Sequence, residues 1–352
     1  MIRCGGPFRP PAARREAAPR SSGAASRHGL LIFLAAVAAV AAPAPAAAQD
    51  ANFLLPIAEI ERILREGEIQ VLDVHPSRGL PGERTYRVTL RSGDHVLQVK
   101  YAPAGEGADE FNNRPRYELA AYGVQALFLD EREWVVPPTA IRAFPLDVVR
   151  ATVARTGDAA SPPEPTFDEW PMTLVALQYW MFNVDLPEEL PDDDRIEEDE
   201  VYERLLGNFN LLTYIIRHSD SNRGNFVQSM DETWPRVFSV DNGVAFASEE
   251  SDRGTRWRDL RLGRYPASAI DRLRGISLEG LRTRLGVLVQ LELRNGNFVE
   301  VEPTENLDPG RGVRRDAERI QLGLTESEIR AMHRRIVRLL ERIDDGRYGL
   351  IP

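Results

Sequence analysis

Lysine, cysteine and histidine are scarce in this 352-residue chain. Lysine and arginine together number 44, yet Lys100 is the only lysine. The only cysteine is Cys4, and the five histidines are scattered along the sequence. Disulfide scaffolds and cysteine-based zinc sites need several cysteines, so this composition excludes both. The single lysine reflects either a codon bias towards arginine or a position that needs a compact ammonium group, which the broad guanidinium cannot replace.

A hydrophobic run long enough to cross a bilayer is also missing. The apolar run at 30–42 has 13 residues, whereas a spanning helix needs about 20. It follows an arginine-rich leader and precedes the small residues at 43–48, which is the pattern of a secretory signal. We therefore predict a signal peptide at 1–48 and a mature chain that is secreted or periplasmic and has no membrane span.

Basic residues are also fewer than acidic ones, 44 against 54. The formal net charge is −10, and the predicted signal peptide carries six arginines and one glutamate, so the mature chain is more acidic still. Such a chain has no excess of basic residues for the phosphates of nucleic acid, and nucleic acid is excluded as a partner. About 300 residues remain after the signal peptide, which is enough for one large domain or two lobes with a full core.

The first half of the mature chain is predicted to be rich in strands. A helix is expected at 54–67, because isoleucine and leucine recur there at helical spacing before a glycine. Three strands, an amphipathic helix and two further strands follow, at 69–74, 84–90, 95–102, 115–128, 135–144 and 172–182. A proline-rich loop at 155–171 separates the last two strands.

The second half begins with an acidic run at 186–200. This run indicates either a solvated connection or helix start, or an acid-rich site for calcium or a partner. Beyond it the pattern is mainly helical, with helices predicted at 201–218, 267–276, 278–293 and 325–346, the last opening with a capping box. A strand-rich half joined to a helical half predicts an α+β fold of two lobes with a cleft between them.

Five polar residues occur in the order found in protein kinases. They are Lys100 on the third predicted strand, Glu118 on the next helix, Asp220 and Asn225 in HSDSNRGN, and Asp241 in VDNG. HSDSNRGN fits the catalytic-loop pattern H-R-D-x-x-x-x-N through its histidine, aspartate and last asparagine. VDNG follows a short apolar strand and is comparable to D-F-G.

The residue types suit phosphoryl transfer. A lysine held by a glutamate presents a point charge to the nucleotide phosphates, and an aspartate with an asparagine supplies hard oxygen ligands for Mg²⁺. A second aspartate accepts the proton of the incoming hydroxyl. Each segment alone also fits a simpler structure, since HSDSNRGN suits a polar loop and DNG a hairpin turn. The occurrence of all five polar residues in this order, with the only lysine among them, favours the kinase interpretation.

These motifs resemble atypical members of the kinase superfamily, namely the secreted-pathway kinases of the Golgi casein-kinase and four-jointed type and the type II phosphatidylinositol 4-kinases. Those families carry an E-x-A-A-Y helix and a VPPT turn, which match residues 118–122 and 136–139. Their D-N-G-x-x-F segment matches residues 241–246. The resemblance implies an α+β, bilobal protein-kinase-like fold with a β-rich N-lobe at 49–183 and a helical C-lobe at 184–352.

The resemblance also implies roles for individual residues. Asp220 would be the catalytic base, Lys100 paired with Glu118 would hold the phosphates of ATP, and Asn225 and Asp241 would bind Mg or Mn. Nucleotide contacts would come from Lys100 and from a hinge at 178–182, specifically Gln178 and Trp180. Gly79 and Gly82 are a weak signal for a phosphate loop and also fit a plain turn.

Two functions of different classes remain open from the sequence. The first is an exported ATP-dependent phosphotransferase acting on a hydroxyl of protein, glycan or lipid. The second is a secreted pseudokinase that binds a nucleotide or a partner without catalysis, which the scarcity of ATP outside the cytoplasm favours. Nucleotidyl transfer is a third, weaker option. Ser221 stands where the resembled families often have arginine, which leaves the acceptor class open.

Overall fold

The computed structural model of the chain describes residues 50–77, 84–110, 114–157, 162–246, 253–254 and 257–352. The described residues all belong to one compact unit. The predicted signal peptide at 1–48 lies outside the described residues. The fold class is α+β, as predicted, with eight α-helices and several antiparallel sheets in the described ranges. The lobe boundary between residues 183 and 184 stays a prediction.

The first half of the described chain forms one large antiparallel sheet with helices around it. Its elements are α1 (Ile57–Glu66), β1 (Gln70–Pro76), β2 (Tyr86–Ser92), β3 (His95–Pro103), α2 (Pro115–Gln125), β4 (Thr139–Pro145), α3 (Leu146–Ala154) and β5 (Met172–Tyr179). The strand order is β1-β2-β3-β5-β4. The helices and strands predicted in this half are confirmed, although α2 ends three residues earlier than expected and α3 was not predicted.

Helix α1 forms because its apolar residues share one face, and the buried ones are Ile57, Ile60, Ile63 and Leu64. Gly67 ends the helix, as predicted. A Cβ at that position would lie 2.6 Å from Ser92 Oγ and 2.7 Å from the Ile63 carbonyl oxygen. Glycine is therefore required where the chain turns past β2.

The two faces of the large sheet are covered differently. On one face, Val88, Val99 and Tyr179 form a row of paired neighbours and share a hydrophobic core with α1. On the other face, Ala102 pairs with Ala176, and both pack in a core that includes strands from the second half of the chain. Residues two apart along a strand share a face, so Lys100 lies on this second face.

The described second half contains five helices and eleven short strands. They are β6 (Val184–Asp185), α4 (Asp193–Glu198), α5 (Glu200–Ile215), β7 (Asp220–Ser221), β8 (Phe226–Ser229), β9 (Val237–Ser239), β10 (Arg253–Gly254), β11 (Arg264–Pro266), α6 (Ala267–Arg274), α7 (Leu278–Leu285), β12 (Val289–Arg294), β13 (Asn297–Val301), β14 (Val313–Arg315), β15 (Arg319–Leu322), α8 (Glu326–Asp344) and β16 (Gly349–Ile351). Strands β13-β12-β15-β14 form a four-stranded antiparallel sheet, and β6-β8-β9 form a three-stranded one. Two parallel pairs, β7 with β10 and β11 with β16, complete the set.

The helix predicted at 278–293 is wrong in its second part. Helix α7 ends at Leu285, and β12 begins at Val289. Gly286 lies where the helix stops, and a Cβ there would be 2.5 Å from the Arg282 carbonyl oxygen. From β12 onward apolar and polar residues alternate, which is the period of a strand and not of a helix.

The turn between β12 and β13 confirms this correction. Asn295 and Gly296 both have positive φ angles, 52° and 82°, and they connect the two antiparallel strands. Asn-Gly between alternating apolar residues is a strong hairpin signal, because both positions of the turn need positive φ. The expected helical C-lobe is therefore corrected to a mixture of helices and small sheets.

The remaining helices predicted in this half are confirmed as α5, α6 and α8. Helix α8 opens with the predicted capping box, in which Thr325 and Glu328 each accept a hydrogen bond from the other's backbone N–H. The acidic run forms α4 and starts α5, since Asp192 and Asp199 accept hydrogen bonds from the first N–H groups of these helices. The helix-start interpretation of the acidic run is thus confirmed.

Candidate active site

A row of polar side chains crosses the second face of the large sheet. Arg87 on β2 pairs with Lys100 on β3, which pairs with Gln178 on β5, which pairs with Thr139 on β4. Directly paired residues of antiparallel strands point to the same side of the sheet. Lys100 therefore lies on β3, between β2 and β5, and its side chain is on the sheet face that α2 and the loops of the second half approach.

Lys100 lies between two carboxylates. Its Nζ is 2.8 Å from Glu118 Oε1 and 3.5 Å from Asp241 Oδ1, and 3.4 Å from the Val240 carbonyl oxygen. Exposure of the side chains is 15% for the lysine, 8% for the glutamate and 32% for Asp241. Burial opposes the charged ammonium, but attraction to Asp241 and Glu118 outweighs it and raises the pKa of Lys100. The ammonium is therefore fully charged at neutral pH.

Glu118 also holds the segment that contains Asp241. Its Oε2 accepts a hydrogen bond of 3.0 Å from the backbone N–H of Asn242. The buried Asn242 side chain is fixed in turn, because its Oδ1 accepts a 2.7 Å hydrogen bond from Ser239 Oγ. Residues 240–246 contain no strand, so the DNG segment is not the hairpin turn that its composition alone would suggest. Asn242 belongs to the recognised motif, but no role was predicted for it.

The HSDSNRGN segment, residues 218–225, contacts the same aspartate. His218 is fully buried, and its Nε2 donates a 2.9 Å hydrogen bond to the Asp241 carbonyl oxygen. Burial lowers the pKa of His218, so the imidazole is neutral at neutral pH. The backbone N–H of Val240 donates to the Asn225 carbonyl oxygen at 3.0 Å. Two hydrogen bonds thus join the HSDSNRGN and VDNG segments: one involves His218 at the start of HSDSNRGN, and the other involves Asn225 at its end.

Asp220, the predicted base, is positioned by two asparagines. Asn222 Nδ2 donates to Asp220 Oδ1 at 2.6 Å, and Asn225 Nδ2 donates to the Asp220 carbonyl oxygen at 2.7 Å. Asp220 is partly exposed, whereas Asn225 is 1% exposed. A partly exposed carboxylate with one oxygen oriented by a neighbouring amide can accept a proton from an incoming hydroxyl. The role of Asn222 was missed, because a loop asparagine carries no periodic signal.

Two backbone positions beside the loops are strained. Arg217, immediately before the catalytic-loop segment, has a φ of 52°, and Phe246, at the end of D-N-G-x-x-F, has a φ of 59°. The N–H of Phe246 donates to the Ile216 carbonyl oxygen, so the two strained positions are linked. Residues other than glycine adopt such angles mainly where the surroundings determine them, and functional loops are enriched in them.

The two predicted metal ligands fit a hard divalent cation. Asp241 provides a carboxylate and Asn225 an amide, and their segments are joined by the Val240 backbone bond. The amide nitrogen of Asn225 is used by the Asp220 carbonyl, so its oxygen is the atom that could bind a cation. Among the described residues, no group of three or more His, Cys, Asp or Glu side chains could hold a metal ion. A site of one carboxylate and one amide would need phosphate and water oxygens as its other ligands.

The predicted nucleotide contacts are only partly placed. Gly79 and Gly82 lie outside the described residues. Gln178 is buried, and its amide nitrogen donates to Thr139 Oγ1 at 3.0 Å. Trp180 is partly exposed, the Arg87 guanidinium lies 5.6 Å from the centroid of its ring, and its backbone N–H donates to the Gln98 carbonyl oxygen on β3. The structure therefore brings together Lys100 and residues of the two loops. The predicted hinge at 178–182 begins on β5, the strand next to β3, and continues past its end at Tyr179.

The sequence matches no protein-family model and no curated protein. Function is therefore inferred from the residues and their geometry. No helix in the described ranges is both long and apolar enough to cross a bilayer.

Proposed function

We propose that the protein is an exported kinase-like phosphotransferase that transfers the γ-phosphoryl group of ATP to a hydroxyl of a protein, glycan or lipid. The observation that carries the proposal is the position of Lys100 Nζ, 2.8 Å from Glu118 and 3.5 Å from Asp241. In protein kinases, a lysine of the third strand, a glutamate of the next helix and a metal-binding aspartate must all be in place for transfer. A structural ion pair would need only one of the two carboxylates.

A bilobal kinase-like arrangement is part of the proposal, with 49–183 as the N-lobe and 184–352 as the C-lobe. Lys100 and Glu118 come from the first range, and Asp220, Asn225 and Asp241 from the second. Residues from both ranges meet at the candidate site. This is consistent with a cleft between two lobes, where small-molecule sites commonly form. Export is supported by the sequence pattern of residues 1–48.

In the proposed reaction, the oxygen of the acceptor hydroxyl attacks the γ-phosphorus of ATP. The bond from this phosphorus to the β,γ-bridging oxygen breaks, and ADP leaves. Asp220 accepts the hydroxyl proton while Asn222 holds one of its carboxylate oxygens. Lys100 neutralises phosphate charge, and its bond to Glu118 fixes the position of that charge before the reaction.

Mg²⁺ or Mn²⁺ bound with ATP would neutralise charge on the transferring phosphate. Asp241 and Asn225 would hold it. The hydrogen bond from Asn225 to the Asp220 carbonyl orients the amide, and the bond between His218 and the Asp241 carbonyl orients the VDNG backbone. These residues thus fix the ligand oxygens before any cation binds.

The proposal is tested by thermal unfolding of the chain with ATP, in the presence and absence of Mg²⁺ or Mn²⁺. We expect a rise in Tm that requires both ATP and the divalent cation, because binding to the folded state alone stabilises it by mass action. Asp241→Ala should abolish the metal-dependent part of the rise. The matched control Asp271→Ala changes an exposed aspartate on α6 and should behave like the wild type.

The result that contradicts the proposal is the absence of a shift with any nucleotide and either metal. That outcome would favour a kinase-shaped binding module. An unchanged metal-dependent rise in Asp241→Ala would remove this aspartate from the site.

A further inference from the structure

A cavity lies apart from Lys100 and both active-site loops. Its volume is about 530 Å³, and it is lined by residues before and at the start of α2, by residues before and in β14, and by Thr325, the N-cap of α8. The charged residues that line it are Asp109, Arg116, Asp308, Arg311, Arg314 and Arg315. Pockets for small molecules have volumes of roughly 300–1,000 Å³. The cavity is therefore large enough for a metabolite, and its charged lining consists of four arginines and two aspartates.

Three of the four arginines are paired with carboxylates. Arg116 binds Glu328 in a buried ion pair of 2.8 Å. Arg315 pairs with Glu169, and both side chains are about half exposed. Arg311 is 78% exposed and is 3.5 Å from Asp308, so its contact is weak and its side chain can move.

Arg314 is the exception. It is only 2% exposed, and its guanidinium donates to three backbone carbonyl oxygens, those of Gly286, Asp308 and Leu324. These acceptors are neutral, and the structure shows no ion pair between Arg314 and a carboxylate of the described chain. Burial, with repulsion from Arg116, lowers the pKa of Arg314 to about 10, and attraction to Asp308 and Glu328, which do not form an ion pair with it, offsets only part of this effect.

Burial of a cation that no carboxylate contacts directly is costly, and an anion bound beside it reduces that cost. A guanidinium has five N–H donors, and the three carbonyls use three of those of Arg314. Arg311 lies on the same cavity wall with its charge largely exposed. Two guanidinium groups from neighbouring positions suit an oxyanion that presents several oxygens in different directions.

We propose that this cavity binds the phosphoryl group of a small phosphorylated molecule, with Arg314 as the buried anchor and Arg311 as the mobile contact at the surface. The site goes beyond the proposed transfer of phosphate at Asp220, since none of its lining residues belongs to the candidate active site. The cavity exceeds the size of one phosphate ion, so it has room for the remainder of a small phosphorylated molecule.

Inorganic phosphate is the probe, and its binding to the full chain is measured by titration calorimetry. We expect saturable binding to one site, and Arg311→Glu should weaken it at least tenfold. Arg334→Glu is the matched control. It makes the same charge change at an exposed arginine of α8 that does not line the cavity, and it should change affinity less than twofold.

Arg314→Gln should abolish phosphate binding where the variant folds. It removes donors from buried carbonyls and can fail to fold, and in that case Arg311→Glu decides alone. Lys100→Met distinguishes the cavity from the candidate nucleotide site, and it should retain phosphate binding within twofold.

Two outcomes would overturn the inference. The first is no saturable binding of phosphate by the wild type. The second is loss of binding in Lys100→Met with retention in Arg311→Glu, which would place the anion at the candidate active site. Because the titration does not involve ATP, failure of the proposed phosphotransferase activity would leave this test intact.

Discussion

Lys100→Arg separates a functional need for lysine from codon bias, because it keeps the charge and changes only the shape. Lys100 Nζ lies 2.8 Å from Glu118, 3.4 Å from the Val240 carbonyl and 3.5 Å from Asp241. A guanidinium is wider, and its donors are fixed in a plane. It cannot make the same contacts from the same backbone position, so the Glu118 pair must shift or, under the proposed function, the bound phosphates must.

The effects of Lys100→Arg on folding stability and on the rate of transfer differ in size. Overpacking a buried position costs about 1–3 kcal/mol of folding free energy, which lowers the Tm of a chain of this length by roughly 2–6 °C. Displacing reacting groups by about 1 Å costs on the order of a hundredfold in rate. That factor equals ~2.7 kcal/mol of lost transition-state stabilisation. We therefore expect a folded variant whose kcat/KM for ATP falls at least about a hundredfold.

The assay follows loss of the γ-phosphoryl group from labelled ATP at a temperature well below the Tm of both proteins. Arg91→Lys provides the matched control, since it makes the reverse exchange at an exposed position of β2. It should leave turnover unchanged. Near-normal turnover by Lys100→Arg would refute the role assigned to the lysine and would leave codon bias as its explanation.

Three further predictions concern the base, the support of α2 and the buried histidine. Asp220→Asn should keep metal-dependent ATP binding and lower transfer by about a hundredfold or more; a fully active variant in a turnover assay would exclude Asp220 as the base. Glu328→Gln should lower the free energy of unfolding in urea by roughly 3 kcal/mol, because buried Arg116 loses its buried partner and keeps only the half-exposed Asp109 at 3.2 Å; an unchanged unfolding midpoint would contradict this. Burial holds the pKa of His218 below its unfolded value, so the unfolded chain takes up the proton first and stability falls as the pH drops below about 6.5. His218→Gln should lose less stability on the same acidification, and an equal loss would show that another group is responsible.

The parts of the fold that the sequence predicted are those specified by local patterns. Helix α1 follows from apolar residues at helical spacing with Gly67 after them, and the capping box at Thr325 marks the start of α8. The order of the polar motifs placed Lys100 on β3 and Glu118 on α2, and the structure brings the two side chains together.

The failures also have local causes. In the segment 278–293 the helical spacing of α7 is followed within a few residues by the alternating pattern of β12. The helical interpretation was extended over both, so the strand was predicted as helix. The Asn295–Gly296 turn signal that follows was available and would have corrected the error. Contacts between residues far apart in the sequence leave no local signal of this kind. The Arg116–Glu328 pair joins positions 212 apart, and no periodicity connects them.

That distant pair bears directly on the candidate site. Arg116 and Glu118 lie in the first turn of α2, so the buried bond from Arg116 to Glu328 on α8 fixes the turn that presents Glu118 to Lys100. Gly312 packs against the same guanidinium, where a Cβ would lie 2.3 Å from Arg116 Cζ. The start of α2 is therefore enclosed by the second half of the chain.

The other end of α2 is fixed as well. Buried Gln125 accepts hydrogen bonds from the N–H groups of Val135 and Val136 and donates one to the Val136 carbonyl oxygen. A helix bonded at both ends cannot turn Glu118 away from Lys100 without breaking buried hydrogen bonds, each of which costs about 1–3 kcal/mol when a partner is left unsatisfied. In kinases that are switched through the corresponding helix, its movement makes and breaks the lysine–glutamate pair. Under the proposed function, the bonds at both ends of α2 oppose that movement, so control of transfer would fall to binding of the nucleotide and the acceptor.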